Sequence, residues 1–206
     1  MHNTNQPSQI VFDVGHVLIE WDPRNLYRKI FADPEQMEWF LAHVFTVDLN
    51  RECDRGLLFK DAVAQATARY PDWHEAIKAY DERWEEMVPS AIVGTVAILE
   101  EARRKNIPTH AITNFSHEKF ELTRKRFDFL NHFITLVVSG EEHLLKPDAA
   151  IFELFLQRAG IQASECVFID DTWANVEAAR QMGMSTIHFT NPEALRMELQ
   201  KLGFDL

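Results

Sequence analysis

The sequence predicts an α/β fold in which a parallel sheet is interrupted, after its first strand, by a helical segment. From residue 89 onward, short β-rich apolar runs alternate with amphipathic helical patterns, which is typical of βαβ units and a parallel sheet. Residues 23–87, in contrast, carry apolar and aromatic side chains at helical spacing. We therefore expect one α/β domain with an all-helical insertion.

The first predicted strand is the apolar, β-branched run Ile10–Val14, which has no helical period. Asp13 lies at its carboxyl end, the edge where open α/β sheets bind ligands. A carboxylate there costs desolvation energy unless a cation or hydrogen bonds compensate it. From this stretch alone, two roles for Asp13 are about equally supported. It either binds a ligand or caps the turn that follows the strand.

Four apolar stripes predict four helices in the insertion, one of them starting at Asp33-Pro34. We interpret the aromatic residues of these stripes as core. The polar stretch Asn50–Gly56 ends on glycine and is predicted to be a loop. The later elements follow in order, with strands over residues 109–113, 133–138, 166–169 and 185–189, and helices over residues 92–105, 116–127, 149–159, 173–182 and from Pro192 onward.

Length and composition restrict the class of protein. The chain has 206 residues, 46% of them hydrophobic, and a formal net charge of -11, which argues against binding nucleic acid or an anionic membrane through bulk charge. An anionic small substrate stays possible because a few local cations or a metal reverse the field inside one site. No apolar run is long enough to span a bilayer, and the polar residues 1–9 are expected to form a loose lead-in without the apolar stretch of a signal peptide. Two distant cysteines, Cys53 and Cys166, are interpreted as reduced thiols, which suits a cytoplasmic protein.

Polar side chains follow three of the predicted strands, and a lysine precedes a later helix. Because the carboxyl ends of parallel strands share one edge, five side chains are expected to converge there: Asp13, Thr113, Lys146, Asp170 and Asp171. Clustered carboxylates repel one another unless a cation lies among them, and oxygen ligands of this kind suit Mg²⁺. A threonine hydroxyl and helix N–H groups can hold phosphate oxygens, and a lysine stabilises an anionic transition state. One aspartate can then attack phosphorus and form an aspartyl-phosphate.

In this order, the motifs resemble those of the haloacid dehalogenase superfamily of hydrolases. The matching stretches are Phe12–Gly15, Ile112–Asn114, Lys146-Pro147 and Phe168–Asp171. The resemblance implies a Rossmann-like sheet of strand order 3-2-1-4-5, built from residues 1–22 and 88–206. It also implies that residues 23–87 form the four-helix cap of one subclass.

The resemblance further implies roles for individual residues. Asp13 would be the nucleophile, and Thr113 and Lys146 would stabilise the phosphoryl oxygens. Mg²⁺ would be held by Asp13, by the backbone carbonyl of Gly15 and by the acidic pair, with Asp171 favoured as the direct ligand and Asp170 beside it or acting through water. A small phosphorylated substrate would contact Asn114 and, by their position in the cap subclass, Trp21, Asn50 and Arg55.

One position departs from the phosphatases of this superfamily, which mostly carry a second aspartate two residues after the nucleophile as acid and base. Here that position is Gly15. A positioned acid or base contributes roughly 10²–10⁴ in rate. The motif Phe-Asp-x-Gly-x-Val resembles that of a branch of sugar-phosphate phosphatases, so we expect leaving groups that need little protonation. His16, Glu20 and Asp22 are candidates to replace the missing acid.

Two other interpretations remain open. A 2-haloacid dehalogenase also lacks the second aspartate because a halide needs no proton, but that class needs no metal and does not carry the pair Asp170-Asp171 in its fourth motif. A binding protein that keeps the site without turnover is the other alternative. The intact Asp13 and Lys146 argue against it.

Overall fold

The computed structural model describes residues 6–206. The lead-in predicted for residues 1–9 therefore lies partly outside the described residues. Its described end is not loose, since the Ser8 N–H donates to the Glu165 carbonyl at 2.8 Å and Gln9 begins the first strand. Five strands form one parallel sheet: β1 (Gln9–Phe12), β2 (Thr109–Thr113), β3 (Leu136–Val138), β4 (Cys166–Asp170) and β5 (Ser185–His188). Their order is β3-β2-β1-β4-β5, which confirms the sheet order and fold class expected from the sequence.

The first strand lies in the middle of the sheet and is apolar on both faces. Ile10, Val11 and Phe12 of β1 have no exposed surface, as expected for a parallel strand covered by helices on each side. Phe12 pairs with Ala111 of β2 and with Ile169 of β4. This register brings the residues that follow all three strands to the same edge of the sheet.

Eleven α-helices are found in the described residues. They are α1 (Arg24–Tyr27), α2 (Pro34–His43), α3 (Val47–Asp54), α4 (Phe59–Arg69), α5 (His74–Glu82), α6 (Val93–Arg104), α7 (His117–Arg126), α8 (Ser139–Glu142), α9 (Ala149–Ala159), α10 (Trp173–Gln181) and α11 (Pro192–Lys201). Single 3₁₀ turns occur at Pro71–Trp73, Trp84–Met87, Asp128–Asn131 and Ala163–Glu165. The predicted start at Asp33-Pro34 is confirmed, since the Asp33 side chain accepts the N–H of Glu35 at 2.9 Å.

Helices α1–α6 lie between β1 and β2, and residues 24–87, which contain α1–α5, are called the helical segment below. It has one α-helix more than the four predicted, because α3 was not expected. Its aromatic stripes pack inward as interpreted from the sequence. The rings of Phe45 and Tyr80 stack with centroids 3.6 Å apart, and Tyr27 contacts Phe40 at 4.8 Å. Within the described residues, no helix combines the length and apolar character that crossing a bilayer requires.

The loop predicted over Asn50–Gly56 is wrong, because most of this stretch belongs to α3. Thr46 starts that helix by accepting the N–H of Leu49 at 3.2 Å, and Cys53 anchors it in the core with no exposed surface. Several polar residues of α3 face a cavity above the sheet edge instead of bulk solvent. The helix was not predicted because a polar stretch was interpreted as a loop exposed to solvent.

Contacts between the helical segment and the rest of the chain hold it over the sheet edge. The N–H of Phe59 donates to the Glu118 carboxylate at 2.8 Å, and the Lys119 ammonium pairs with Asp81. The Ser139 hydroxyl donates to the backbone carbonyl of Asp54 at 2.6 Å. Polar contacts at specific residues therefore join the helical segment to α7 and to the start of α8.

Candidate active site

Asp13 lies directly beyond β1, where the sequence placed it. Its backbone N–H donates to the carbonyl of Ile169, and its Oδ1 accepts the N–H of Val14 at 2.7 Å. The residue is only 8% exposed. Its carboxylate is therefore held rigidly by the ends of two neighbouring strands.

Lys146 is the cation at the centre of the site. Its ammonium lies 2.8 Å from Asp13 Oδ1 and 2.7 Å from Asp170 Oδ2, and it donates to the carbonyl of Ile112 at 3.0 Å. Burial alone would lower the pKa of Lys146, but the charges and hydrogen bonds of Asp13 and Asp170 raise it above its ordinary value. The side chain is therefore a permanently charged bridge between the two acids.

Asn114 holds the loop that carries Lys146 at the carboxyl edge of the sheet. Its Oδ1 accepts the backbone N–H of Lys146 at 2.8 Å, and its Nδ2 donates to the carbonyl of the same residue at 2.9 Å. The pair of bonds joins the residue after β2 to the loop before α9. Asn114 thus positions Lys146 in addition to lining the cavity, a role that the sequence did not reveal.

The two members of the acidic pair have different surroundings. Asp170 is fully buried, and both of its oxygens accept hydrogen bonds from Asn175, at 3.0 Å each, while Oδ1 also accepts the N–H of Thr172. Asp171 lines the cavity instead. Burial and the charge of Asp170 raise the pKa of Asp171. Asp170 is therefore committed to protein contacts, and Asp171 faces outward to the cavity.

Carboxylate oxygens of Asp13, Asp170 and Asp171 lie within 4.8 Å of one another. Burial raises the pKa of Asp13 to about 8, and the attraction of Lys146 is partly opposed by the repulsion of Asp170. The single positive charge of Lys146 does not balance the three carboxylates when all are ionised. The donor set, which consists of oxygens alone, fits a hard divalent cation such as Mg²⁺.

The Thr113 hydroxyl is buried and has no hydrogen-bond partner among the described residues. Buried hydroxyls are normally paired, but in the described part of the chain those of Thr67 and Thr95 are unpaired as well. Thr113 has no exposed surface and is not among the residues that line the cavity described below. An oxygen atom of a ligand would supply the missing partner. The contact between Thr113 and a phosphoryl group therefore stays a prediction.

A cavity of about 500 Å³ opens above these groups. Of the predicted substrate-binding residues, Asn114, Trp21 and Asn50 line it, and so does Gly15. Arg55 is not among the lining residues, and its guanidinium faces Glu52 at 3.9 Å. The lining also includes residues that the sequence analysis did not single out: Val47, Arg51, Asp54, Phe59, Trp84, Phe115 and Ser116. Placing Asn50–Asp54 on one helix would have found Arg51 and Asp54, because successive turns then face the cavity. Phe59 and Trp84 lie on other elements and carry no such signal.

Gly15 leaves open space at the position of the missing acid. A Cβ atom built there meets no atom within 4 Å, and its φ lies outside the left-handed range. Among the three proposed replacements, only His16 lines the cavity. Glu20 accepts a hydrogen bond from the Ser90 hydroxyl, and Asp22 is paired with Arg24, so these two acids are engaged elsewhere.

Two known proteins are similar in sequence to about half of this chain. Acyl-CoA dehydrogenase family member 10 of Mus musculus is 39% identical over 114 residues, which cover 52% of this chain and 10% of that protein. Sesquiterpene phosphatase astK of Aspergillus oryzae is 30% identical over 106 residues, which cover 52% of this chain and 54% of that protein. The chain thus spans about half the length of the phosphatase and much less of the dehydrogenase.

Among solved structures, the HAD family enzyme bt-2542 of Bacteroides thetaiotaomicron, in a complex with magnesium and inorganic phosphate, has the same fold. It superposes with a TM-score of 0.66 at 20% identity, covering 90% of this chain and 95% of that one. A family model described as haloacid dehalogenase-like hydrolase matches residues 10–183, the stretch that contains β1, the helical segment and the whole cluster around Lys146. The chain therefore belongs to the haloacid dehalogenase-like hydrolases.

Proposed function

We propose that this hydrolase is a Mg²⁺-dependent phosphatase that acts on a small phosphorylated metabolite, such as a sugar phosphate, through an aspartyl-phosphate. The observation that carries the proposal is the bridge from Lys146 to Asp13 and Asp170, at 2.8 and 2.7 Å, beside Asp171, which lines the cavity. The phosphatase name of astK and the phosphate and magnesium in the bt-2542 complex support it.

The nucleophile is Asp13. Its Oδ1 is occupied by Lys146 and by the N–H of Val14, so Oδ2 is the oxygen available to attack phosphorus. The P–O bond of the ester then breaks and an aspartyl-phosphate forms. Water attacks the phosphorus of this intermediate, which releases inorganic phosphate and restores the Asp13 carboxylate.

The surrounding groups bind and orient the phosphoryl group. Lys146 balances negative charge that develops on the phosphoryl oxygens, and the unpaired Thr113 hydroxyl donates to one of them. Mg²⁺, held by Asp13, Asp171 and the carbonyl of Gly15, supplies positive charge to the same oxygens when bound. Because both oxygens of Asp170 already accept hydrogen bonds, we assign Asp171 as the direct ligand and Asp170 as the residue that positions Lys146.

The same cluster argues against the dehalogenase interpretation. A 2-haloacid would bring a further carboxylate into a buried site where three carboxylates already lie within 4.8 Å. Like charges at this distance disfavour one another strongly in a buried site. A phosphate ester is also an anion, but it binds together with the divalent cation that the donor set fits.

The test is phosphate release from p-nitrophenyl phosphate with Mg²⁺ or with EDTA, with halide release from 2-chloropropionate measured in parallel. Wild-type protein should release phosphate only with Mg²⁺, and Asp13→Asn should lose more than about 10³-fold in kcat. Acid quenching of the wild type during turnover of a ³²P-labelled substrate should trap a phosphoenzyme that Asp13→Asn does not form.

Asp33→Asn is the matched control, because asparagine also caps helices and Asp33 lies at the start of α2, outside the cavity lining. It should keep wild-type turnover. Halide release that is insensitive to EDTA, or phosphate release that survives Asp13→Asn, would contradict the proposal.

A further inference from the structure

The helical segment contributes a carboxyl group to the cavity that the proposed chemistry does not use. Three carboxylic acids line the cavity within the described residues: Asp13, Asp171 and Asp54. The first two belong to the phosphoryl and metal end. Asp54 is the last residue of α3 and lines the same cavity from the helical segment, away in the chain from the strand ends that carry the other two.

A network of hydrogen bonds holds Asp54 in place. Its Oδ2 accepts from the Asn50 amide at 3.0 Å, and the Asn50 carbonyl oxygen accepts from the Tyr80 hydroxyl at 2.9 Å. The backbone carbonyl of Asp54 accepts from the Ser139 hydroxyl at 2.6 Å. Through these bonds the side chain is anchored both to the helical segment and to the sheet domain, so its position relative to Asp13 is defined.

The protonation state of Asp54 suits an acid that works near neutral pH. Burial raises the pKa of Asp54 to about 7, and the backbone N–H of Ser116 offsets only part of this effect. The titratable neighbours on the same segment, Cys53 and Tyr80, are neutral at this pH because burial raises the pKa of both. Arg51 and His16 also face the cavity.

We propose that Asp54 is the general acid and base of this active site, in place of the side chain that Gly15 lacks. The inference rests on the proposed phosphatase function. As Asp13 Oδ2 attacks phosphorus and the P–O bond to the leaving group breaks, the Asp54 carboxyl gives its proton to the departing oxygen. The resulting Asp54 carboxylate then takes a proton from the water that attacks the aspartyl-phosphate, which returns Asp54 to its protonated form. With an acid in this position, the preference for easily released alcohols expected from Gly15 alone becomes weaker.

The test is the dependence of kcat/KM on the leaving group in Asp54→Asn, an isosteric change that cannot donate a proton as an acid. The esters are p-nitrophenyl phosphate, phenyl phosphate and an alkyl panel of glycerol phosphate, sugar 6-phosphates and nucleoside 5′-phosphates. We expect a loss of about 10²–10⁴-fold on the alkyl esters and less than about tenfold on p-nitrophenyl phosphate. The fall of wild-type kcat/KM with rising pH, measured on an alkyl ester, should disappear in the variant.

Two further variants separate chemistry from structure. Glu118→Ala removes the 2.8 Å contact to the N–H of Phe59, so it loosens the helical segment without changing a side chain that lines the cavity, and it should affect all esters equally. Gly15→Asp introduces a carboxyl into open space. In the Asp54→Asn background it should raise the ratio of alkyl-ester turnover to p-nitrophenyl phosphate turnover at least tenfold, whatever it does to the absolute rates.

Equal losses on all esters in Asp54→Asn would overturn the inference, as would wild-type protein that hydrolyses aryl but no alkyl phosphate. A loss that depends on the leaving group in His16→Asn but not in Asp54→Asn would assign the role to His16 instead. These outcomes leave Mg²⁺-dependent, Asp13-dependent phosphate release intact. Failure of the phosphatase proposal itself shows as the absence of that release on every ester.

Discussion

Replacement of Lys146 by methionine tests how much of the stability of the site depends on one buried cation. The side chain is 2% exposed, and its ammonium bridges Asp13 and Asp170 at 2.8 and 2.7 Å. Methionine keeps most of the apolar stem and removes the charge. Two buried carboxylates are then left with no cation between them.

The expected cost follows from these distances. At an effective dielectric constant of about 20, each ion pair near 2.8 Å is worth about 6 kcal/mol of Coulomb energy. The desolvation of Lys146 itself offsets a large part of that sum, so the net loss is closer to the 3–5 kcal/mol typical of breaking a buried pair, or about 4 kcal/mol. With a urea m-value of about 2 kcal/mol per molar, the unfolding midpoint should fall by about 2 M.

Urea unfolding of the metal-free protein at pH 8, followed by tryptophan fluorescence, measures this shift. Lys29→Met is the matched control, since Lys29 pairs with Glu86 at 2.7 Å on the surface and its side chain is 54% exposed. That change should cost no more than about 1 kcal/mol. A Lys146→Met protein within about 1 kcal/mol of the control would refute the reasoning, because the two carboxylates would then not depend on the lysine charge.

Three further predictions concern stability. Mg²⁺ at about 100 times its dissociation constant should stabilise the wild type by about 2.7 kcal/mol and Asp171→Asn much less, as measured by thermal unfolding, and equal shifts would remove Asp171 from the metal site. Asn175→Ala deletes two 3.0 Å hydrogen bonds to buried Asp170 and should cost about 1–3 kcal/mol in urea; no change would mean that water replaces them. Burial lowers the pKa of His110 to about 4, so the unfolded chain takes up the proton first as the pH falls. The stability that neutral His110 contributes is therefore present above pH 6.5 and lost between pH 6.5 and 4, by at most about 3 kcal/mol, and His110→Leu should lack this part of the acid sensitivity in parallel urea titrations.

The hydrophobic pattern predicted the sheet because its central strands β1 and β4 are buried on both faces and are mostly apolar. The strand over residues 133–138 was predicted too long, since β3 covers only Leu136–Val138 at the edge of the sheet. Residues 133–135 are apolar or β-branched, and Ile134 and Thr135 already exchange single backbone hydrogen bonds with β2, but the regular ladder begins at Leu136. An edge strand has a partner on one side only, so the apolar pattern does not define where its pairing begins.

In the helical segment, one helix was not predicted at all. The apolar stripes of the segment predicted the helices that pack in the core, but Asn50–Asp54 were interpreted as a solvated loop. These residues form a helix because Thr46 caps it and Cys53 anchors it, while their polar side chains turn to an internal cavity. A single sequence does not distinguish a polar face toward solvent from a polar face toward a site.

The sequence by itself determined the sheet, its parallel order through the family motifs, and the meeting of Asp13, Thr113, Lys146, Asp170 and Asp171 at one edge. Those results depend on short-range pattern and on the rule that parallel strands end together. Only the tertiary structure decided that Lys146 joins Asp13 to Asp170, that Asp171 faces the cavity, that Arg55 does not line it, and that Asp54 does. Those outcomes depend on the packing of the helical segment against the sheet edge, which involves contacts between residues far apart in the chain and leaves no periodic signal in it.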